Sequence, residues 1–250
     1  MADQSDFSWP NSERAAVSLT FDDGVESQYE TVVPMLNKRG FHGTIYVPMA
    51  DGGRFYAAPE KWRDAVAAGH EIGNHSMTHP CSRNLWVAGK KLNLDDMTLD
   101  DIEAQIVEAK HRIEDALPDQ SEHSYAYPCG ETQVGRGANK QSYIPVVAKH
   151  YIAARALGDG ISINTPAEVD LCSLWAPMPI GETAERLINI AERAYNGKKW
   201  AIIAFHGIGD NHLSNTVEAF GSLLDWLAER RDEIWTDSLI RVARWVHDRQ

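Results

Sequence analysis

Short apolar runs alternate along the chain with longer amphipathic stretches. Ala201–Phe205 is continuously apolar, as expected for a strand buried on both faces, and Ala15–Phe21 is a second predicted strand. Thr98–Leu117 is the clearest predicted helix, because Thr98 and Asp101 can cap it and an apolar stripe follows. Further strands are predicted at Gly43–Val47, Ser124–Tyr127 and Tyr151–Ala154, and further helices at Glu26–Arg39, Pro59–Ala68, Thr183–Asn196, Ser214–Arg230 and Asp237–Val246.

The alternation of strands with helices predicts a mainly parallel sheet with right-handed crossovers. In such a sheet, chemistry is concentrated at the carboxyl ends of the strands. Residues 81–97 show no periodicity and are predicted to form an inserted loop.

Carboxylates and histidines follow three of the apolar runs. Thr20–Gly24 contains Asp22 and Asp23, Asn74–Pro80 contains two histidines, and Ala204–Gly207 contains His206. Such side chains are poorly suited to burial unless something pairs them, and a divalent metal ion would do so.

His75 and His79 are four residues apart. On a helical turn this spacing places both imidazoles on one face, where a carboxylate from elsewhere would complete an open, catalytic type of metal site. Taken alone, each motif is a weak signal: the pair also fits two exposed histidines on a helix, and Asp22-Asp23-Gly24 also fits an ordinary turn.

Length and composition fit an enzyme domain. The chain has 250 residues, of which 43% are hydrophobic, enough for one α/β barrel or two smaller domains. The net charge of −12 argues against nucleic acid and anionic membrane surfaces as partners. No apolar stretch has the length of a membrane span.

The N-terminus and the cysteines bear on the cellular compartment. Met1–Pro10 lacks a basic region followed by an apolar run, which predicts a cytoplasmic protein as given, or an extracytoplasmic one if a leader was removed. The chain has three cysteines, an odd number, and their spacing does not resemble that of metal ligands: Cys81, Cys129 and Cys172. Free thiols are therefore predicted. Cys81 and Cys129 each adjoin a motif and could line the site.

The motifs together resemble those of a known family. Thr20-Phe21-Asp22-Asp23-Gly24 and His75-Ser76-Met77-Thr78-His79 are similar to the first two motifs of the polysaccharide deacetylases, the nodulation-factor deacetylase homology group (carbohydrate esterase family 4). Tyr127–Gly130 and Ile203–His206 resemble parts of the third and last motifs. The resemblance implies an α/β fold: a single-domain distorted (β/α) barrel over residues 1–250, with about seven mainly parallel strands.

The resemblance also implies roles for individual residues. Asp23, His75 and His79 would bind one divalent metal ion, most simply zinc, although cobalt or nickel suits the same ligands. Asp22 would be the general base and His206 the general acid in hydrolysis of an acetamide.

Two departures from the family pattern stand out. Ala126 occupies the position where the family usually has an arginine that orients the base. Arg155, in Tyr151–Ala156, is the candidate substitute and would grip the Asp22 carboxylate at two points; the alternatives are a surface ion pair or an arginine at the base of the barrel. The usual Asp-x-x-Asp-Trp motif is absent, which leaves Asp170 as a candidate partner for His206.

Three functions follow from these observations. The first is a deacetylase of N-acetylated, or O-acetylated, oligo- or polysaccharides. The second is a non-sugar amidohydrolase of the same superfamily acting on cyclic amides or ureides, and the third is a non-catalytic carbohydrate-binding protein. Tryptophans in or near predicted loops could stack on sugar rings or could simply pack in the core: Trp62, Trp86 and Trp175. The sequence leaves the oligomeric state open.

Overall fold

A parallel sheet surrounded by helices forms the body of the protein. The structure, a computed structural model, describes residues 7–85, 93–158, 163–210 and 212–250. The strands are β1 (Ala15–Asp22), β2 (Thr44–Val47), β3 (Glu71–Asn74), β4 (Tyr125–Ala126), β5 (Gln133–Val134), β6 (Gln141–Ser142), β7 (Ala154–Arg155), β8 (Trp200–Phe205) and β9 (Ile234–Thr236). The helices are α1 (Val33–Asn37), α2 (Arg54–Ala57), α3 (Pro59–Ala67), α4 (Leu99–Ala116), α5 (Ile144–Val147), α6 (Ala184–Gly197), α7 (Val217–Ala228) and α8 (Leu239–His247).

Within the described residues the main sheet has seven strands. Six lie in the order β7-β4-β3-β2-β1-β8, and every pairing among them is parallel. The seventh, β9, pairs with the first residues of β1, while β2 pairs with its last residues. All eight residues of β1 are buried, as a strand enclosed on both faces requires.

A segment without regular structure closes the gap between β7 and β8. The Leu174 amide donates to the Ala154 carbonyl (2.9 Å), and the Ala156 amide donates to the Leu174 carbonyl (2.8 Å). On the other side, the Ala204 amide donates to the Pro177 carbonyl (2.9 Å). The sheet therefore curls into a distorted barrel, and the predicted fold class is confirmed.

The element predictions hold best where periodicity is strong. The capping box of α4, in which Thr98 and Asp101 bond each other's backbone amides, is present as predicted. The predicted helix over Glu26–Arg39 is present over residues 26–37, two residues shorter at its end, and contains a π-turn at Gln28–Val32 that runs into α1. The elements α2, α5 and β9 and the antiparallel hairpin of β5 and β6 were not predicted. Of the predicted loop 81–97, residues 81–85 and 93–97 lie within the described part and contain short 3-10 turns.

A buried glutamate ties the amino-terminal end of the barrel together. Glu71 Oε1 accepts hydrogen bonds from the amide (2.7 Å) and hydroxyl (2.6 Å) of Ser124. Its Oε2 accepts from the Thr44 hydroxyl (2.7 Å) and the Ile240 amide (2.9 Å). Burial raises the pKa of Glu71. One side chain thus links β2, β3, the residue before β4, and α8.

His70, the residue before β3, is a second buried titratable group at this end. Its Nδ1 accepts from the Gly43 amide (3.0 Å), and its Nε2 donates to Asn37 Oδ1 (3.0 Å). This pairing requires the neutral ring, and burial lowers the pKa of His70 to about 4.

Among the described residues, none of the helices combines the length and apolarity needed to cross a bilayer.

Candidate active site

The carboxyl edge of the sheet collects the predicted site residues. Asp22 is the last residue of β1, and Asp23 follows it. His75 comes directly after β3, Arg155 ends β7, and His206 comes directly after β8. His79, the sixth predicted residue, lies in the same loop as His75.

The two histidines are not on a helical turn, which corrects the prediction. Asn74 Oδ1 accepts from the Ser76 amide (2.7 Å), and the Ser76 hydroxyl accepts from the His79 amide (3.0 Å). Ser76 and His79 adopt left-handed backbone conformations, with φ of 63° and 52°. These local hydrogen bonds fold the loop back, so the ring centroids of His75 and His79 lie 4.5 Å apart without a helix.

One oxygen of Asp23 faces both of these histidines. Oδ1 lies 3.9 Å from His75 Nε2 and 3.4 Å from His79 Nε2. His75 Nδ1 donates to the Ala126 carbonyl (2.8 Å), which fixes the tautomer that leaves a lone pair on Nε2. Burial lowers the pKa of His75, which favours the same neutral form.

The three donor atoms fit a divalent metal ion. They lie within 4.8 Å of one another, and donors around a tetrahedral zinc ion lie about 3.3 Å apart. Burial alone would raise the pKa of Asp23, but His79, His75 and His206 outweigh it and hold the pKa at about 2. The carboxylate is therefore ionised and available as a ligand.

Asp22 is held separately from Asp23. Arg155 Nη2 donates to Asp22 Oδ1, and both side chains are buried. Burial alone would raise the pKa of Asp22, but the Arg155 charge and the neighbouring histidines leave it below its usual value. The Arg155 guanidinium also lies over the Tyr46 ring, 5.1 Å from its centroid. Arg155 is neither a surface residue nor at the base of the barrel.

The contact from Arg155 is made by one nitrogen, not two. Nε and Nη1 are buried and have no hydrogen-bond partner within the described ranges. The expected pair of hydrogen bonds from Arg155 to the Asp22 carboxylate is therefore not formed, although the guanidinium charge lies beside it.

His206 faces the other oxygen of Asp23. Its Nε2 lies 3.9 Å from Asp23 Oδ2. Gln28 Nε2 donates to the carbonyls of Asp22 (2.6 Å) and His206 (3.0 Å), which holds the ends of β1 and β8 together.

Asp170 does not orient His206, contrary to expectation. Its Oδ1 instead accepts from the Cys172 amide (2.9 Å), capping a short turn. His206 Nδ1 is buried and has no hydrogen-bond partner in the part of the chain that the structure describes.

His212 is a site residue that the sequence analysis missed. Its Nε2 lies 3.5 Å from Asp23 Oδ2, and its ring centroid lies 5.5 Å from that of His206. The available signal was a further histidine in the glycine-rich loop after His206.

The prediction of free thiols is wrong for two of the three cysteines. Cys81 and Cys129 form a disulfide, with their Cα atoms 5.8 Å apart, and Cys172 is free and buried. The bond joins the loop that carries His79 to the loop that follows Ala126, whose carbonyl orients His75.

The three tryptophans have different surroundings. Trp62 is fully buried and its indole donates to the Phe55 carbonyl (3.2 Å), so it cannot stack on a sugar. Trp175 is 48% exposed. Trp86 lies outside the described residues.

The sequence profile of the polysaccharide deacetylase family matches residues 10–143, more than half of the chain. The chain belongs to the polysaccharide deacetylase family. Members of this family are usually metal-dependent hydrolases, and some are pseudoenzymes.

Individual relatives agree with this assignment. The chain is 34% identical over 118 residues to the chitooligosaccharide deacetylase of Sinorhizobium fredii, a match covering 46% of this chain and 47% of that protein. The matched segments span less than half the length of the curated relatives.

Solved structures share the fold at low identity. A protein assigned as a polysaccharide deacetylase from Mycobacterium smegmatis superimposes with a TM-score of 0.68 at 14% identity, covering 97% of this chain and 93% of that one. A family 4 carbohydrate esterase pseudoenzyme from Bacillus anthracis superimposes with a TM-score of 0.60 at 18% identity, covering 92% and 65%.

Proposed function

We propose that this protein is a metal-dependent deacetylase that removes acetyl groups from N-acetylated, or O-acetylated, oligo- or polysaccharides. One observation carries the proposal: the two adjacent carboxylates are separated into different environments. Asp23 faces the histidine pair, whereas Asp22 is held by Arg155. The metal ligand, Asp23, and the general base, Asp22, are therefore separate side chains on adjacent residues.

A divalent ion held by Asp23, His75 and His79 would polarise the acyl carbonyl oxygen and lower the pKa of water bound to it. Asp22, whose pKa is lowered in this environment, is ionised at neutral pH and can accept the proton of the attacking water. His206, at the next strand end, can donate a proton to the leaving nitrogen or oxygen. Arg155 holds the Asp22 carboxylate in place through their ion pair.

The name of the Sinorhizobium fredii relative supports a saccharide substrate. The half-exposed Trp175 offers an aromatic face on which a sugar ring could stack. If it does so, Trp175→Ala raises KM for oligosaccharides more than it lowers kcat.

The test is acetate release by zinc-, cobalt- or nickel-reconstituted protein across N-acetylated chitooligosaccharides, O-acetylated xylo-oligosaccharides and a panel of cyclic amides and ureides. Acetate from either sugar series supports the proposal. Ring opening of the cyclic compounds without acetate release supports the amidohydrolase alternative. Saccharide binding without turnover by protein that holds one ion supports a non-catalytic binding protein.

Variants separate the roles of the two carboxylates. Asp23→Ala should lose both the metal and the activity. Asp22→Asn should retain the metal and lose about a hundredfold in turnover, the usual size of a general-base effect. The exposed Asp119→Asn is the matched control and should retain both. Full metal content in Asp23→Ala would remove Asp23 from the ligand set.

We also propose that the protein works in an oxidising compartment. Disulfides are rarely stable in reducing cytosol, and Cys81–Cys129 is one. The protein is isolated from its native source without reductant, unfolded and then alkylated. Alkylation should modify one thiol, that of Cys172. Modification of all three cysteines would contradict the proposal.

A further inference from the structure

The two oxygens of the Asp23 carboxylate face different histidine pairs. Oδ1 lies 3.9 and 3.4 Å from the Nε2 atoms of His75 and His79. Oδ2 lies 3.9 and 3.5 Å from the Nε2 atoms of His206 and His212. The second set, like the first, has all its donor atoms within 4.8 Å of one another.

We propose that Asp23 bridges two cation sites, and that Oδ2, His206 and His212 bind a second divalent ion. Two imidazoles and a carboxylate oxygen are a donor set that suits zinc, cobalt or nickel. A carboxylate that uses one oxygen for each of two ions is compatible with the metal separation of about 3.5–4 Å found in two-metal sites.

The loop that presents His212 is held from behind. Asp210 Oδ2 accepts from the Ser27 hydroxyl (2.5 Å), and Oδ1 accepts from the His212 amide (2.8 Å). The same Ser27 hydroxyl accepts from the Ile208 amide (3.2 Å). His212 is 50% exposed, so its ring can adjust to an ion while its backbone is anchored.

Charge makes this second site weaker than the first. Both ions share the single negative charge of Asp23, and Arg54 Nη1 lies 3.8 Å from the same Oδ2. The Arg54 side chain is 52% exposed and can turn away into solvent, but its charge competes with a cation at this oxygen. The second ion therefore binds only at higher metal concentration.

Occupation of the second site has a functional consequence, which rests on the proposed function. An ion on His206 Nε2 occupies the lone pair that the ring needs to carry a proton to the leaving group. The deacetylase is therefore expected to gain activity with the first ion and to lose it with the second. The binding itself does not depend on this activity and is measured separately.

The experiment is zinc titration of the metal-free protein by calorimetry, with elemental analysis after equilibrium dialysis at several free zinc concentrations. Wild type should bind one ion tightly and a second at least about tenfold more weakly. His212→Gln and His79→Gln should each bind a single ion, and the double variant none. The matched control is His111→Gln, an exposed histidine on α4, which should still bind two.

Two further measurements sharpen the test. Arg54→Gln should bind the second ion about tenfold more tightly, because the competing charge is gone. With cobalt, the doubly loaded wild type should show magnetic coupling between the ions, and His212→Gln should not.

The outcomes separate the two proposals. Saturation of wild type and His212→Gln at one ion, lost in His79→Gln, would overturn the second site and leave the proposed metal centre intact. Absence of any bound ion in wild type would overturn both. Two ions in wild type, with no acetate release even from protein that holds a single ion, would support the second site and contradict the proposed deacetylase.

Discussion

Arg155 makes its buried ion pair with Asp22 across 133 residues of sequence. The sheet register pairs Arg155 directly with Ala126, the position at which an arginine was expected from the family pattern. The guanidinium thus approaches the candidate base from the adjoining strand.

We expect Arg155→Lys to retain the metal and to lose about tenfold or more in kcat. Its shorter ammonium group weakens a charge-assisted hydrogen bond, and about 1.4 kcal/mol of lost stabilisation is a tenfold change in rate. Steady-state kinetics alongside elemental analysis measure this. The exposed Arg186→Lys is the control. Kinetics equal to wild type in Arg155→Lys would show that the contact does not serve the base.

Loss of the disulfide should weaken both the fold and the candidate metal centre. The bond closes a loop of 48 residues, and chain-entropy arguments give it about 4 kcal/mol as an upper value. Cys81→Ala/Cys129→Ala should unfold at lower denaturant and bind zinc less tightly, because the His79 loop loses its anchor. Cys172→Ala should leave zinc affinity unchanged. Competition with a chromogenic chelator gives the affinities, and equal values for all three proteins would contradict the anchoring role.

His70 should make stability depend on pH. Its pKa is about 4 in the folded protein and about 6.5 when unfolded, so its contribution is complete above pH 6.5 and declines as pH falls toward 4. Between pH 7 and pH 5 the loss is about 2 kcal/mol.

The measurement is urea unfolding of wild type and His70→Asn at both pH values, with chelator present to remove metal effects. The stability advantage of wild type should shrink by about 2 kcal/mol at pH 5. A difference independent of pH would show that His70 is not buried in its neutral form.

Glu71→Ala should destabilise the fold by about 3 kcal/mol or more, since it leaves buried donors without their acceptor. The site lies at the opposite end of the strands, so the folded variant should still bind zinc. Exposed Glu168→Ala is the control for unfolding. An unchanged unfolding midpoint in Glu71→Ala would mean that these four hydrogen bonds contribute nothing net.

Some parts of the site were predictable from sequence and others were not. Asp22, Asp23 and His206 lie at the ends of strands with strong apolar character, and strand ends are positions that a pattern can locate. The loop of His75 and His79 was predicted as a helical turn because the spacing fits one. Its actual shape depends on side-chain hydrogen bonds that periodicity does not reveal.

Contacts between distant segments were the harder part. Cys81 and Cys129 are 48 residues apart, and the pairing of β3 with β4 brings together the loops that follow these strands. His212 was missed because its loop has no periodic pattern. The strand β9 was missed because it has three residues and pairs with only part of β1.

The pairing of β1 with β8 also sets the order in which the protein can fold during synthesis. Thr20 and its hydrogen-bond partner Ile203 are 183 residues apart. At roughly 5–20 residues per second, a ribosome needs about 10–40 s to make the intervening chain. Throughout that interval one apolar edge of β1 has no partner, which makes the nascent chain a substrate for chaperones and prone to aggregation. Asp22 and Asp23 therefore precede His206 in synthesis by about the same interval.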